Sequence, residues 1–239
     1  MREARRQKNL PAGAIPSVCV LDPDGDLVEY LRASGRARSH PAWACYHSVL
    51  DVFDLNGIPV GVVGRAVGAS FAVLVAEELF VSGCRLLISV TSAGQITPLG
   101  PTPYFVLIEQ ALRDEGTSYH YLPPARYSTL APRLREQINA AWDYQGIPRY
   151  TGNSWTTDAP FRETAQAIAA ARAEGIAAVE MEAAALYALA TARDYPIVCF
   201  AHVTNTMATE GDDFEKGPDQ GSQATLAVIA ETLRCWQGK

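Results

Sequence analysis

The 239-residue chain is poor in charge and in the side chains that build metal or disulfide frameworks. Charged residues make up 19% of it, and a formal net charge of −6 leaves no general attraction to phosphate backbones or anionic lipid. Nucleic acid and membrane are therefore not expected partners. The cysteines, at positions 19, 45, 84, 199 and 235, are odd in number, widely spaced and partly embedded in apolar runs. They read as small core residues. CxxC and HExxH are missing and the four histidines are scattered, so no metal site is expected. No apolar run approaches the length of a bilayer span. The basic start (Arg2, Arg5, Arg6, Lys8) is followed by Pro11, Gly13 and Pro16, which break any signal-like hydrophobic region, so the expected compartment is the cytoplasm. What the chain does hold is apolar content, 48%, enough for one sizeable core. The expectation is a loose N-terminal arm over residues 1–14 and a single α/β domain over 15–239.

Taken in order, SVCVL (17–21) reads as a strand and DPDGD (22–26) as a sharp acidic turn. Residues 57–83 give a strand, a glycine-bearing turn and a helix capped by Ser70. The spacing Gly61, Gly64, Gly68 is not GxGxxG, which excludes a dinucleotide fingerprint. RLLISVTSAGQI (85–96) reads as a buried strand and a small-residue turn, whose backbone N–H groups an anion could approach closely. The pattern then predicts a helix over 103–115, a strand over 119–122, an exposed helix over 131–144, a loop at 151–158 and an amphipathic helix from about Ala159 to Glu174. Residues 209–220 read as an acidic flap, and 222–236 as a C-terminal helix capped by Ser222 with Leu226, Ile229, Leu233 and Trp236 on one stripe.

The informative stretch is GIAAVEMEAAALYALATARDYPIVCFAHVTNTM (175–207). It reads as a strand (176–179), a Glu-Met-Glu triplet, a helix to about Arg193 that is apolar on nearly every face and so buried, and a strand (197–203) ending in Thr-Asn-Thr. Acids opening a helix also complement its macrodipole, and an Asn ending a strand can simply cap it, so these residues alone leave both structural and chemical roles open. VEMEAA, followed 23 residues after Glu182 by a polar residue at a strand end, resembles the signature of the nucleoside phosphorylase and nucleosidase superfamily.

That resemblance implies a three-layer single α/β domain with a central mixed, partly barrel-like sheet flanked by helices. It also implies a nucleoside as the small-molecule partner, no cofactor beyond inorganic phosphate as co-substrate, and assembly as a dimer or trimer of dimers. The aromatic residues Trp43, Tyr46, Trp142 and Tyr144 are the expected interface cover. By the same likeness Glu182 accepts hydrogen bonds from the ribose hydroxyls, Met181 packs on the sugar, and Glu180, Arg65, Val67 and Gly68 lie near substrate. Thr91, Ser92 and Gly94, with Ala93, would meet phosphate. Phe161, with Trp155 behind it, would stack on the base, and Asn205 would face the leaving group. An amide there cannot serve as a strong acid, which predicts a 6-oxopurine or pyrimidine base over adenine.

The sequence departs from that pattern at the phosphate site. Asp24 stands where the family has a glycine, while Val28, Ser89 and Tyr46 stand where it has arginines. Arg36, Arg38, Arg65 and Arg126 are the available substitutes. The expectation is therefore phosphorolysis first, hydrolysis with Asp24 (or Asp22 or Asp26) as general base second, and a non-catalytic nucleoside-binding protein third.

Overall fold

The computed structural model describes residues 1–11, 13–146, 148–206 and 216–238. Strand β1 (Val18–Asp22) is buried at all five positions, as befits a strand with parallel neighbours on both sides. Those neighbours are β4 (Ile58–Gly64) and β5 (Leu86–Gln95). Beyond β4 the sheet continues through β3 (Asp51–Leu55) to an edge strand, β2 (Ala37–Ser39). On the other side it closes on itself. β5 pairs with both β9 (Ile176–Glu180) and β10 (Ile197–Thr206), and β10 runs on through β6 (Tyr104–Asp114) and β8 (Arg149–Thr157) back to β9. Five strands thus form a closed barrel, with β7 (Tyr127–Thr129) an appendage on β6 and the remaining strands an open extension. The expected mixed, partly barrel-like sheet is what the chain builds.

Helices α2 (Asp26–Ala33), α3 (Ala69–Ser82), α4 (Pro132–Ala141), α5 (Ala165–Ala173), α6 (Ala183–Arg193) and α7 (Ser222–Gln237) flank the sheet. α6 is buried from Ala183 through Ala190 and packs on α3, which accounts for its apolar character on every face. At its middle, the Tyr187 hydroxyl donates to the Ile108 carbonyl at 2.6 Å and accepts from the Cys199 N–H at 3.1 Å, locking the helix to β6 and β10. Each fully buried Leu on α6 contributes about 1.5–3 kcal/mol through area removed from water. All five cysteines are free and buried. No helix among the described residues is long and apolar enough to cross a membrane.

Several expectations are corrected. Residues 104–114 form a strand: helix formers fill the second half of the segment, but burial there alternates and the chain pairs on both edges. Residues 119–122 are not a strand, because the loop winds around buried Arg113, which donates to Ser118 Oγ and to the Leu122 and Pro123 carbonyls; a short 3₁₀ turn, Ser118–His120, results. The loop expected at 151–158 is mostly β8, and the helix after it begins only at Ala165, capped by the Thr164 hydroxyl. The N-terminal arm contains a helix, α1 (Arg2–Gln7), tied down by Lys8 Nζ to the Cys45 carbonyl and Tyr46 to Gln7. Gly68, not Ser70, caps α3, and Gly221, not Ser222, caps α7. α4 ends at Ala141, three residues short. The four aromatics do not share one surface: Trp43 is buried and bonded to Ser48, Trp142 packs on Phe200 beneath Arg149, and only Tyr46 of the two tyrosines is largely exposed. Residues 209–215 of the expected acidic flap lie outside the described residues.

Candidate active site

A cavity of about 230 Å³ opens at the barrel end where β5, β9 and β10 meet. Its lining includes Asp24, Val67, Thr91, Ser92, Ala93, Gly94, Met181, Glu182 and Asn205, so the structure brings together most of the residues singled out from the sequence. Two irregularities aim them. β10 carries an extra residue between Val203 and Asn205, so Asn205, and not Thr204, stands opposite Gly94 of β5. The 91–94 segment, expected as a turn, stays in the sheet, and Gly94 pairs on its other side with Val179 of β9.

The Glu-Met-Glu triplet divides its labour. Glu180 ends β9 fully buried, where Oε2 accepts the Glu182 and Ala183 N–H groups at 2.7 Å each and Oε1 accepts from the Ser154 and Thr156 hydroxyls. It caps α6 from outside, and its acceptor capacity is spent on the chain itself. Glu182 is the helix N-cap residue. Its Oε1 accepts from the Gly68 N–H at 2.7 Å, while Oε2, equally buried, makes no hydrogen bond of good geometry among the described residues, although the Thr91 hydroxyl lies close enough to the carboxylate to favour its charged form. Burial first, and the Glu180 charge second, push its pKa up to about 8. A buried carboxylate with an orphaned oxygen at a cavity wall calls for a hydroxyl or N–H donor from a ligand.

On the opposite wall Asp24 engages Ser92 twice, accepting from its N–H at 2.8 Å and from its hydroxyl at 2.7 Å. The largely buried Lys216 ammonium pairs with Asp26 and sits 3.8 Å from Asp24. Behind it lies His202, stacked on Phe105 with ring centroids 4.4 Å apart. Burial, with help from Lys216, holds its pKa down at about 4, so the ring is neutral. Asp22 points inward to the Val28 N–H, and burial raises its pKa to about 7.

Other expected residues lie elsewhere. Arg65, in the left-handed region at φ 65°, pairs with Glu29 beside a separate cavity of about 420 Å³ that Val28 and Tyr46 also line. Arg126 pairs with Glu174, and Arg36 and Arg38 line a cleft at the β2 edge. None of the four substitute arginines lines the 230 Å³ cavity. The Phe161 ring is fully exposed outside it, and Trp155 is buried with its indole N–H on Asp114 at 2.9 Å. Sequence reasoning missed Pro160, Glu163 and Val179, which line the cavity, and Lys216, whose role depends on a contact across 190 residues. No local pattern signals any of these.

A family model described as "Phosphorylase superfamily" matches residues 19–234. Among curated proteins, a purine nucleoside phosphorylase of DeoD type from Streptococcus pyogenes serotype M5 is 29% identical over 153 residues, covering 62% of this chain and 65% of that protein. A serotype M12 counterpart is 28% identical over 152 residues, covering 61% and 64%. The matched region thus spans somewhat under two thirds of these relatives. Among solved structures, uridine phosphorylase from Vibrio fischeri superposes with a TM-score of 0.75 at 20% identity, covering 92% of this chain and 91% of that one. Purine nucleoside phosphorylase from Toxoplasma gondii, in complex with immucillin-H, gives 0.76 at 16% identity over 92% and 90%. At that identity the superpositions speak for the fold.

Proposed function

Since the chain belongs to the phosphorylase superfamily, we propose that it cleaves the N-glycosidic bond of a purine nucleoside with a 6-oxo base, and that water is the acceptor. Glu182 takes the ribose hydroxyls on its unpartnered oxygen, and Met181 packs on the sugar. As the C1′–N bond breaks, its electron pair leaves with the base, where the Asn205 amide donates to a ring nitrogen. Negative charge on Glu182 favours the cationic sugar that forms. A water held by Asp24 adds to C1′ and passes its proton to the Asp24 carboxylate, from which solvent returns it to the released base. The products are ribose and free base.

The observation that carries the choice of water is the Asp24–Ser92 pair. Two donors that would hold an incoming anion are already taken by a carboxylate of the chain itself. Phosphate would also have to enter beside the Asp24 and Glu163 carboxylates with no arginine on the cavity wall among the described residues. Phosphorolysis is the second reading, favoured by Lys216 beside Asp24 and by the activity named for the curated relatives. A homo-oligomer belongs to this proposal, and light scattering tests it.

Base release from inosine, followed with and without phosphate and with product analysis, separates the two. Release of ribose in phosphate-free buffer is expected; strict dependence on phosphate with ribose 1-phosphate as product would overturn hydrolysis. Asp24→Ala should lower hydrolysis about 100-fold or more, the usual worth of a general base. It should also free Ser92, so that phosphate raises the melting temperature of the variant and not of the parent.

A further inference from the structure

The acidic turn at 22–26 also lines a second, smaller chamber of about 20 Å³, room for a single water. Asp24, Thr91 and Ser92 line both this chamber and the 230 Å³ cavity, so the Asp24–Ser92 pair stands as the partition between them. The other titratable groups on the chamber are Asp22, Asp26, His202 and Lys216. His202 is neutral, and Asp22 is turned to the Val28 N–H with its pKa pushed up to about 7 by burial. Lys216 is therefore the one cation on that wall among the described residues, and it stands against Asp24 and Asp26.

Lys216 is the deeper partner in both contacts: its side chain is 9% exposed, against 30% for Asp24 and 28% for Asp26. A lysine goes that far under the surface only where its charge is met. Asp26 meets it in a direct ion pair, and the Ser222 hydroxyl at the start of α7 donates to the Asp26 carbonyl at 3.3 Å, tying α7 to the same residue. Anchored there, Nζ stands 3.8 Å from Asp24 Oδ2. That is too long for a hydrogen bond, so the ammonium acts on Asp24 by its charge and occupies none of its lone pairs. Oδ2 accepts the Ser92 N–H at 2.8 Å and Oδ1 the Ser92 hydroxyl at 2.7 Å. Both oxygens are thus oriented by the chain, and about two of the four acceptor sites of the carboxylate stay open.

Building on the hydrolytic reading above, we propose that Lys216 is the positioning residue of the general base: anchored on Asp26, it offsets the repulsion between Asp24 and Asp26 and holds the Asp24 carboxylate on Ser92, aimed at the water. Without that charge Asp24 faces Asp26 across one short turn and swings off Ser92, away from C1′. Asp26 has an equal part in the arrangement. By taking the direct bond of the ammonium, it leaves Asp24 with the lone pair that the proton of the water needs. Lys216 touches neither sugar nor base in this arrangement and works only through Asp24.

The test is a double-mutant cycle on inosine hydrolysis in phosphate-free buffer. Lys216→Met, which keeps the apolar stem and removes the charge, should lower kcat about 10- to 100-fold, the scale of a misplaced catalytic group, with KM within about twofold. Lys216→Arg, which keeps the charge, should recover most of that loss. Asp26→Asn, which frees the ammonium to bond Asp24 directly, should also lower kcat. In an Asp24→Asn background neither Lys216→Met nor Asp26→Asn should cost more than about twofold further, because the residue they act through is gone. A kcat unchanged by Lys216→Met, or a loss of the same size with and without the Asp24 carboxylate, would overturn the proposal. If no inosine is hydrolysed, the hydrolytic reading fails, and melting temperatures then decide whether the charge of Lys216 acts at the place of Asp24. Phosphate should stabilise Asp24→Ala and lose that effect when Lys216→Met is added; equal shifts in the two proteins, zero included, sink the placement.

Discussion

At the scale of single residues the site turns on what each carboxylate has already bonded. Glu180 and Glu182 stand two positions apart and look alike in the sequence, yet the first spends its acceptors on α6 and β8 while the second keeps an oxygen unpartnered at the cavity. Sequence could single out the triplet, Met181 and Asn205, because they sit in one short stretch. It could not assign the two acids their parts, since that depends on β8 bringing Ser154 and Thr156 beneath Glu180. Nor could it foresee that Asp24 would lie on Ser92, 68 positions away. One consequence is measurable. Glu182, with a pKa near 8 in the free protein, is mostly protonated at neutral pH and accepts sugar hydroxyls best once ionised. The profile of kcat/KM against pH should rise through about 8, since that ratio reports the free enzyme. Glu182→Gln should lose that limb and drop kcat/KM by about 100- to 1,000-fold, the scale of a preorganised electrostatic contact. A substitution that leaves the profile and rate intact would remove Glu182 from the reaction.

At the scale of elements, legibility followed burial. β1, β5, β9, β10 and α6 read correctly because continuous apolar runs and an all-round apolar helix have few alternative homes. β6 misread as a helix because Glu109, Gln110 and Ala111 favour helix locally, and only the sheet partners that the sequence does not display override them. The segment Lys216–Gly221, most of it read from the sequence as part of an acidic flap, enters α7 and lays Lys216 against Asp26 and Asp24, a contact the sequence does not display. Its tightest point is Gly221, at φ 74°, where a Cβ would come within 2.3 Å of His202 Cε1 and 2.7 Å of the Lys216 carbonyl. Gly221→Ala combines a left-handed backbone penalty with a clash against backbone and a stacked ring, and should cost about 2–4 kcal/mol in urea denaturation. Activity should fall with it, because Lys216 must move with its own carbonyl. A neutral Gly221→Ala would mean that this segment does not hold the acidic turn in place.

At the scale of the whole molecule, the buried titratable groups make the fold itself sensitive to pH, and the sign follows from the direction of each shift. Burial raises Glu180, raises Asp22 to about 7 and raises Glu182 to about 8. Between the ordinary carboxylate range near 4 and those values, the folded chain holds protons that the unfolded chain has released, so stability falls as pH rises across that interval. His202 works at the other end. Held down at about 4, it stays neutral in the fold while the unfolded imidazole charges below about 6.5, so its own contribution falls as pH drops from there. Three raised acids outweigh one lowered imidazole, so the net effect of these groups is a loss of stability as pH rises from about 5, with an alkaline limb that extends to about 8. Each unit of displacement is about 1.4 kcal/mol, so the alkaline limb amounts to a few kcal/mol by pH 9, which for a chain of this size is a loss on the order of 5–10 °C in melting temperature. Calorimetry of the unliganded protein from pH 5 to 9 should show it, with Glu182→Gln flattening the alkaline side because a neutral amide in that place has no proton to lose. Nucleoside binding should flatten it too, since hydroxyl donors on Glu182 bring its pKa back toward the ordinary range and relieve the cost of its charge. A melting temperature that stays level or climbs from pH 6 to 9 would mean these acids are solvated in solution, and with that the orphaned oxygen at the sugar site would lose its significance.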